Sequence, residues 1–551
     1  MPTGIGEDSA TRSGRGGRRA ACGPVAGAGA AETRQIAHPE PRDRGVDHLV
    51  QRLPLLFGTR LTIVDAPDDA VVLRPPPPGE PVADVRAAVR DALRFPLAGN
   101  PLEALVTRGG RATIVVEPPA LPLPGALHDP RQQALAAAST ELERAGVPTE
   151  RQTLLVATGL TRRPRRRELE GLGVVSPGFA RRFRGTVAIH DAEDPGLVEL
   201  EPAGNTPLSI HRALIDTELV LTVSGAETVL DGGPSLLLGC GSAEALRSAT
   251  AYSLLETGAS QGWQLAVELE RRLSSRVPVI GTSLVLDQPR FGGLARGYPY
   301  DPEAGERIAR SPFRRGFSVL PGFARSRVMR SIRRDLSATA AFAGPPSVAH
   351  AEALLRAVEA RSATLDGRLD AIVIGIPRTT PHLPRERPNP LLVAYLALGL
   401  ALRLWREAFP LVEGGTAILL HRFHRHFAHP TQQPYRTIFH ALRTGPREPE
   451  ELAAVEQEAA ADERAVAAYR GGRSCHPLLP FADWEGCAPA LGRLGAVIVA
   501  GCRDAVAARQ LGFVPARGLG AALEMAHGLA GGNARIGYLL SPPYFPLRVT
   551  Q

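Results

Sequence analysis

Short β-rich runs alternate with helical stretches along most of this 551-residue chain, and that rhythm restricts the fold more than any other feature. Strands are expected at residues 60–64, 112–116, 152–157, 186–189, 219–223, 277–285, 371–376, 416–420 and 496–500, with a long helix at 129–145. Such alternation specifies α/β architecture with largely parallel sheets, because each parallel neighbour is reached through a crossover. In these sheets function collects in loops beyond the carboxyl ends of the strands. Attention therefore falls on Glu117-Pro118, residues 159–164, 224–233, 377–384 and 421–430.

A chain of this length is expected to form two or three domains. The reading is two lobes, residues 46–285 and 286–551, with a cleft between them. A final strand near 535–540 or 547–549 is expected to pack back on the first lobe. Residues 1–45, rich in Gly, Ala and Arg without apolar periodicity, read as a disordered tail. Residues 300–346 interrupt the rhythm and read as a basic insertion, with eight arginines between Arg310 and Arg334 and with Phe313, Phe317 and Phe323 among them. That composition suits an anionic surface, but no nucleic-acid-binding motif accompanies it, and a solvated insertion is the simpler reading. The longest apolar run, 391–404, is too short to cross a bilayer and reads as a buried helix. Five cysteines form no CxxC pair, so neither a zinc ribbon nor a disulfide scaffold is expected, and a reducing cytoplasm fits best.

No lysine occurs: all 64 Lys+Arg residues are arginine. Schiff-base chemistry and lysine-tethered cofactors are thereby excluded, because a guanidinium stays charged and does not act as a nucleophile. Against that background, four segments in order carry a resemblance: residues 154–160, ending Thr158-Gly159-Leu160; 167–173; His190-Asp191-Ala192-Glu193-Asp194-Pro195; and 210–218, which leads to Asp231-Gly232-Gly233. Their order and spacing resemble the nickel-pincer lactate racemase family, whose members racemise or epimerise 2-hydroxy acids. The likeness continues through residues 370–376 and Glu413-Gly414-Gly415-Thr416, and covers roughly residues 50 to 551 apart from the basic stretch.

The resemblance implies a two-lobed α/β fold. It also implies two catalytic histidines, a lysine tethering the pincer cofactor, a nickel-ligating histidine and a carboxylate-binding arginine. This chain departs at each. Thr161 stands at one catalytic histidine, in Gly159-Leu160-Thr161-Arg162-Arg163-Pro164, and a hydroxyl does not titrate near neutrality. Thr228 falls at the other, and the loop 231–235 offers no amine. The nickel ligand falls near Tyr252, and Ala120-Leu121-Pro122 replaces the arginine clamp. No nickel-pincer cofactor is expected.

Two refitted sites remain open. Arg162 and Arg163 can bind a small acid, with Glu227 and Asp231 as a base or as hard-metal ligands. The bland alternative is that the arginines cap a solvated turn, and that His190 is a turn histidine. His421, His424, His426 and His429 follow the strand at 416–420 and can hold a divalent metal, although Arg422 and Arg425 oppose a bound cation. The leading expectation is a small-acid or partner-binding homologue without racemase activity. The alternative is a metal-dependent or acid/base enzyme with a rebuilt site in the same cleft, and a third is a surface-binding module built on the basic stretch.

Overall fold

The structure, a computed structural model, describes residues 51–550 apart from 68–69, 122–128, 379–387, 428 and 445–448. The tail expected at 1–45 and most of the loop expected at 377–384 lie outside these residues.

Six strands form the first sheet, in the order Ala338–Gly344, Val279–Leu286, Leu219–Gly225, Ala112–Val116, Gln152–Val156 and Thr186–Ile189. All neighbours are parallel except the first pair. Alternate side chains feed opposite cores. Ile114, Val116, Leu154 and Val156 pack with the helices Val85–Arg94 and Pro130–Ala145. Val115 and Leu155 pack with Ser235–Leu238 and Gln261–Ser274. A strand covered on both faces needs apolar residues at consecutive positions, which is why 112–116 reads Ala-Thr-Ile-Val-Val.

The second sheet runs Val514–Ala516, Leu494–Ala500, Leu411–Leu420, Leu369–Pro377, Gln51–Gly58 and Arg60–Ala66. Ile536–Leu539 lies between Leu369–Pro377 and Val71–Leu73. The central strand is therefore flanked on one edge by Ile536–Leu539 at residues 371–374 and by Gln51–Gly58 at 376–377.

Sheet membership does not follow a boundary at residue 285, since the strands within 51–73 join the second sheet and Ala338–Gly344 closes the first. The late strand Ile536–Leu539 does return to the segment 46–285, pairing with Val71–Leu73, and it does so inside the second sheet, with Leu369–Pro377 on its other side. The basic stretch is not merely solvated: it forms the helices Pro302–Arg310, Pro312–Val319 and Gly322–Ser331 and then supplies that closing strand. Ala304, Ile308 and Phe317 are buried there, giving those helices an apolar face.

The apolar run at 391–404 is buried as expected but is not one α-helix. Pro390–Ala394 passes into a π-helical turn, Tyr395–Leu400, and a 3-10 turn, Ala401–Arg403. Widened turns of this kind recur beside functional sites because they redirect side chains without ending the helix. Among the described residues no helix is long and apolar enough to cross a membrane.

Candidate functional site

A cavity of about 250 Å³ opens at the carboxyl ends of Ala112–Val116, Gln152–Val156 and Leu219–Gly225. Its first wall comes from the loops that follow them, through Glu117, Leu121, Thr158, Thr161, Asp231 and Ser235. The opposing wall comes from Tyr395, Leu400 and Arg403 of the π and 3-10 turns, with Leu479 and Ala482.

Three carboxyl groups gather at this sheet edge. Glu227 is buried and fully engaged: its Oε2 accepts from Arg131 Nη1 at 3.2 Å and from the backbone N–H groups of Ala120 and Leu121 at 3.1 and 3.4 Å. Arg131 reaches it from the first turn of Pro130–Ala145, whose N-cap, Asp129, holds the same guanidinium at 2.6 Å. Asp231 accepts from Thr228 Oγ1 at 2.6 Å. Glu117 keeps part of its surface open to the cavity while protein encloses the rest. Burial, and then the carboxylates of Asp231 and Glu227, hold its carboxyl well above the usual range, against Arg131 and the backbone N–H of Gly232. Glu117 thus holds its proton more tightly than an ordinary carboxyl group.

The loop that delivers Asp231 depends on glycine. Gly232 and Gly233 have φ of +81° and +50°, and a Cβ at either would collide with His350. His350, on the helix Pro346–Arg361, bridges Ser283 Oγ and Thr228 O at 3.1 Å each and is kept neutral by burial, down to about 4. It is a structural pin beneath the loop.

The other expected residues fare differently. Thr161 lines the cavity, but its hydroxyl donates to Thr158 O at 2.7 Å. Arg162 and Arg163 turn away from it. Arg162 pairs with Glu168 at 3.2 Å and donates to Gly472 O at 3.2 Å. Arg163 pairs with Asp191 at 3.1 Å and donates to the carbonyls of His190 and Arg470 at 2.8 and 2.5 Å. His190 is a turn histidine: its Nε2 meets Gly241 O at 2.8 Å, and burial lowers it to about 3. Tyr252 lies edge-on to Trp405 at 5.4 Å.

The histidine cluster does not close on one point. His421, His424 and His426 line a separate pocket with Arg60, Arg325 and Arg422, whereas His429 meets Thr431 Oγ1 at 2.7 Å. Among the described residues no three His, Cys, Asp or Glu side chains assemble around a common position. Between His421 and His424, Phe423 is buried in the core with a left-handed φ of +50°.

Sequence reasoning singled out Glu227 and Asp231 but not Glu117, Arg131, Arg403 or His350. Glu117 carried a signal, a carboxylate directly after a strand in an expected functional loop. Arg403 had none, sitting inside an apolar run. It is buried, donates to Gly399 O at 3.2 Å and to Ala251 O, and its Nε has no acceptor.

Comparison with known proteins agrees with this architecture. Residues 57–249 match the family described as lactate racemase N-terminal domain. The lactate racemase apoprotein from Thermoanaerobacterium thermosaccharolyticum is 14% identical, with a TM-score of 0.55 over 90% of this chain and 100% of that one. A Thermotoga maritima protein is 12% identical, with a TM-score of 0.48 over 86% of this chain and 100% of its own. No curated protein matches the sequence. Residues 57–249 thus resemble the lactate racemase N-terminal domain, and the fold of the lactate racemase apoprotein extends over nearly all of the chain.

Proposed function

We propose that this protein uses the lactate racemase fold to bind a small acid and does not racemise it through a nickel-pincer group. The binding reading rests on Arg403, a buried cation at the cavity wall whose Nε lacks an acceptor. A carboxylate there would satisfy that N–H, while the carboxyl of Glu117 at the same cavity can hydrogen-bond a hydroxyl of the same molecule.

The pincer group does not fit the residues present. Asp231–Ser235 contains no amine for a thioamide tether, and neither does any other part of the chain. At the positions of the family's two histidines, the hydroxyls of Thr161 and Thr228 are already donating to Thr158 O and Asp231. Neither can take a proton from carbon at neutral pH.

Calorimetric titration with glycolate and with each lactate enantiomer tests the reading. Saturable binding is expected, weakened at least tenfold in Arg403→Met, the loss of one charge-assisted contact. Interconversion of the enantiomers should stay at background. Racemisation above background, or binding indifferent to Arg403→Met, would overturn it.

A second reading has one observation in its favour, the gathering of Glu117 with Asp231 and Glu227. Neighbouring carboxyl groups whose surroundings differ are the usual equipment of acid–base catalysis. It predicts turnover of a bound hydroxy acid that Glu117→Gln abolishes while binding persists.

A further inference from the structure

A pocket of about 470 Å³ lies where the helices Pro302–Arg310, Pro312–Val319 and Gly322–Ser331 meet the hairpin Gln51–Ala66. Its walls are overwhelmingly apolar, with Leu56 and Leu61 from the hairpin and Phe317, Val328, Met329 and Ile332 from the helical segment. Its size is that of a site for a compact organic ligand.

Three arginines, Arg314, Arg333 and Arg334, interrupt that lining, and two of them carry buried N–H groups. Arg334 is 3% exposed; its Nη2 donates to Met329 O at 3.0 Å, but its Nη1 is buried with no acceptor. Arg314, half-buried on Pro312–Val319, likewise has a buried Nε without one. The adjacent carboxylate, Asp335, pairs with Arg333 at 3.5 Å instead. Burial alone acts on Arg334, drawing it down to about 10, and no acidic group offsets it. A desolvated guanidinium with spare N–H groups in an apolar chamber is costly unless an anion completes it. Water satisfies such groups poorly where so little of the surface is polar. The chemistry that completes both features at once is an apolar body carrying a single anionic head.

We propose that this chamber binds a medium-chain carboxylate, its chain against Leu56, Phe317 and Met329 and its head at Arg334 Nη1 and Arg314 Nε. The site is independent of the cavity that holds Glu117 and Arg403, since no lining residue is shared. Nothing in the reading requires the basic stretch to meet a polymer or a bilayer.

The test compares decanoate, decanol and acetate, each below micelle-forming concentration, by calorimetry on the full chain and on Arg334→Met. Decanoate should bind once per chain, at least tenfold more tightly than decanol, with acetate silent. In Arg334→Met decanoate should fall to the level of decanol while decanol is unchanged. The variant should fold, because it replaces an unsatisfied buried cation with an apolar side chain of similar length. Equal binding of decanoate and decanol to the wild type, absence of saturable binding, or decanoate binding unaltered in the variant would each overturn the proposal. Sedimentation of both proteins with phosphatidylglycerol vesicles, without decanoate binding, would overturn it in favour of a lipid surface meeting the exposed Phe313 and Phe323.

Discussion

Arg131 decides the electrostatics of the sheet edge, since its guanidinium pairs with both Asp129 and Glu227. Arg131→Met should leave Glu227 buried and uncompensated beside Glu117, a loss of about 3–5 kcal/mol. Urea denaturation measures it, and adding Glu227→Gln should recover part of the loss because the orphaned charge is gone. Gly233→Ala tests the loop in another way. Its φ of +50° is unfavourable for a side chain, and the new methyl would strike His350, so about 1–3 kcal/mol should be lost. At this scale the sequence was legible only where function sat in a strand-end loop. Glu227 and Asp231 were visible there as candidates. Arg131 reads as an ordinary residue of a helix start, and His350 as an ordinary core histidine, because their partners come from distant segments.

Capping links the helices to the first sheet. Glu270, buried on Gln261–Ser274, accepts from Ser347 N at 2.8 Å and from Ser347 Oγ at 3.1 Å, tying off the start of Pro346–Arg361. Burial raises its carboxyl to about 7 despite those two bonds. The folded state therefore retains this proton while the unfolded chain has released it. Its stabilising contribution is present below the ordinary carboxylate pKa, declines as pH rises to about 7, and is flat above. Glu270→Gln should flatten that part of the urea-midpoint profile between pH 5 and 7, with a gain on the order of 1–3 kcal/mol at pH 8 relative to wild type. Elements were the most legible level. The strands expected at 112–116 and 186–189 appear with those limits, and the helix expected at 129–145 begins one residue later. The hairpin Gln51–Ala66 was half seen, its second strand only, because nothing local announces that Gln51–Gly58 will seat beside a strand met after residue 369. The π turn was invisible for a different reason: its residues are good apolar helix formers, and only packing widens it.

Across the whole molecule, the turn after Thr186–Ile189 is fastened to the helix Glu463–Arg470. Tyr469 Oη accepts from Ala192 N and donates to Gly159 O, both at 3.1 Å, while Asp191 pairs with Arg163 and Arg470 at 3.1 Å each. The His190–Pro195 motif thus ties distant segments together. Tyr469→Phe removes two buried hydrogen bonds and should cost about 1–3 kcal/mol. If the fastening makes residues 51–550 one cooperative body, the variant should lower the denaturation midpoint with an unchanged m-value, and far-UV and tryptophan signals should still coincide. The placement of Leu369–Pro377 has a consequence for synthesis. On one edge its partners are Gln51–Gly58, made more than 300 residues earlier, and Ile536–Leu539, made well over 100 residues later. The outer edge of the early hairpin must therefore wait for its neighbour through most of translation. Any nascent chain halted before residue 536 presents the edge of the central strand as a template for a neighbouring polypeptide.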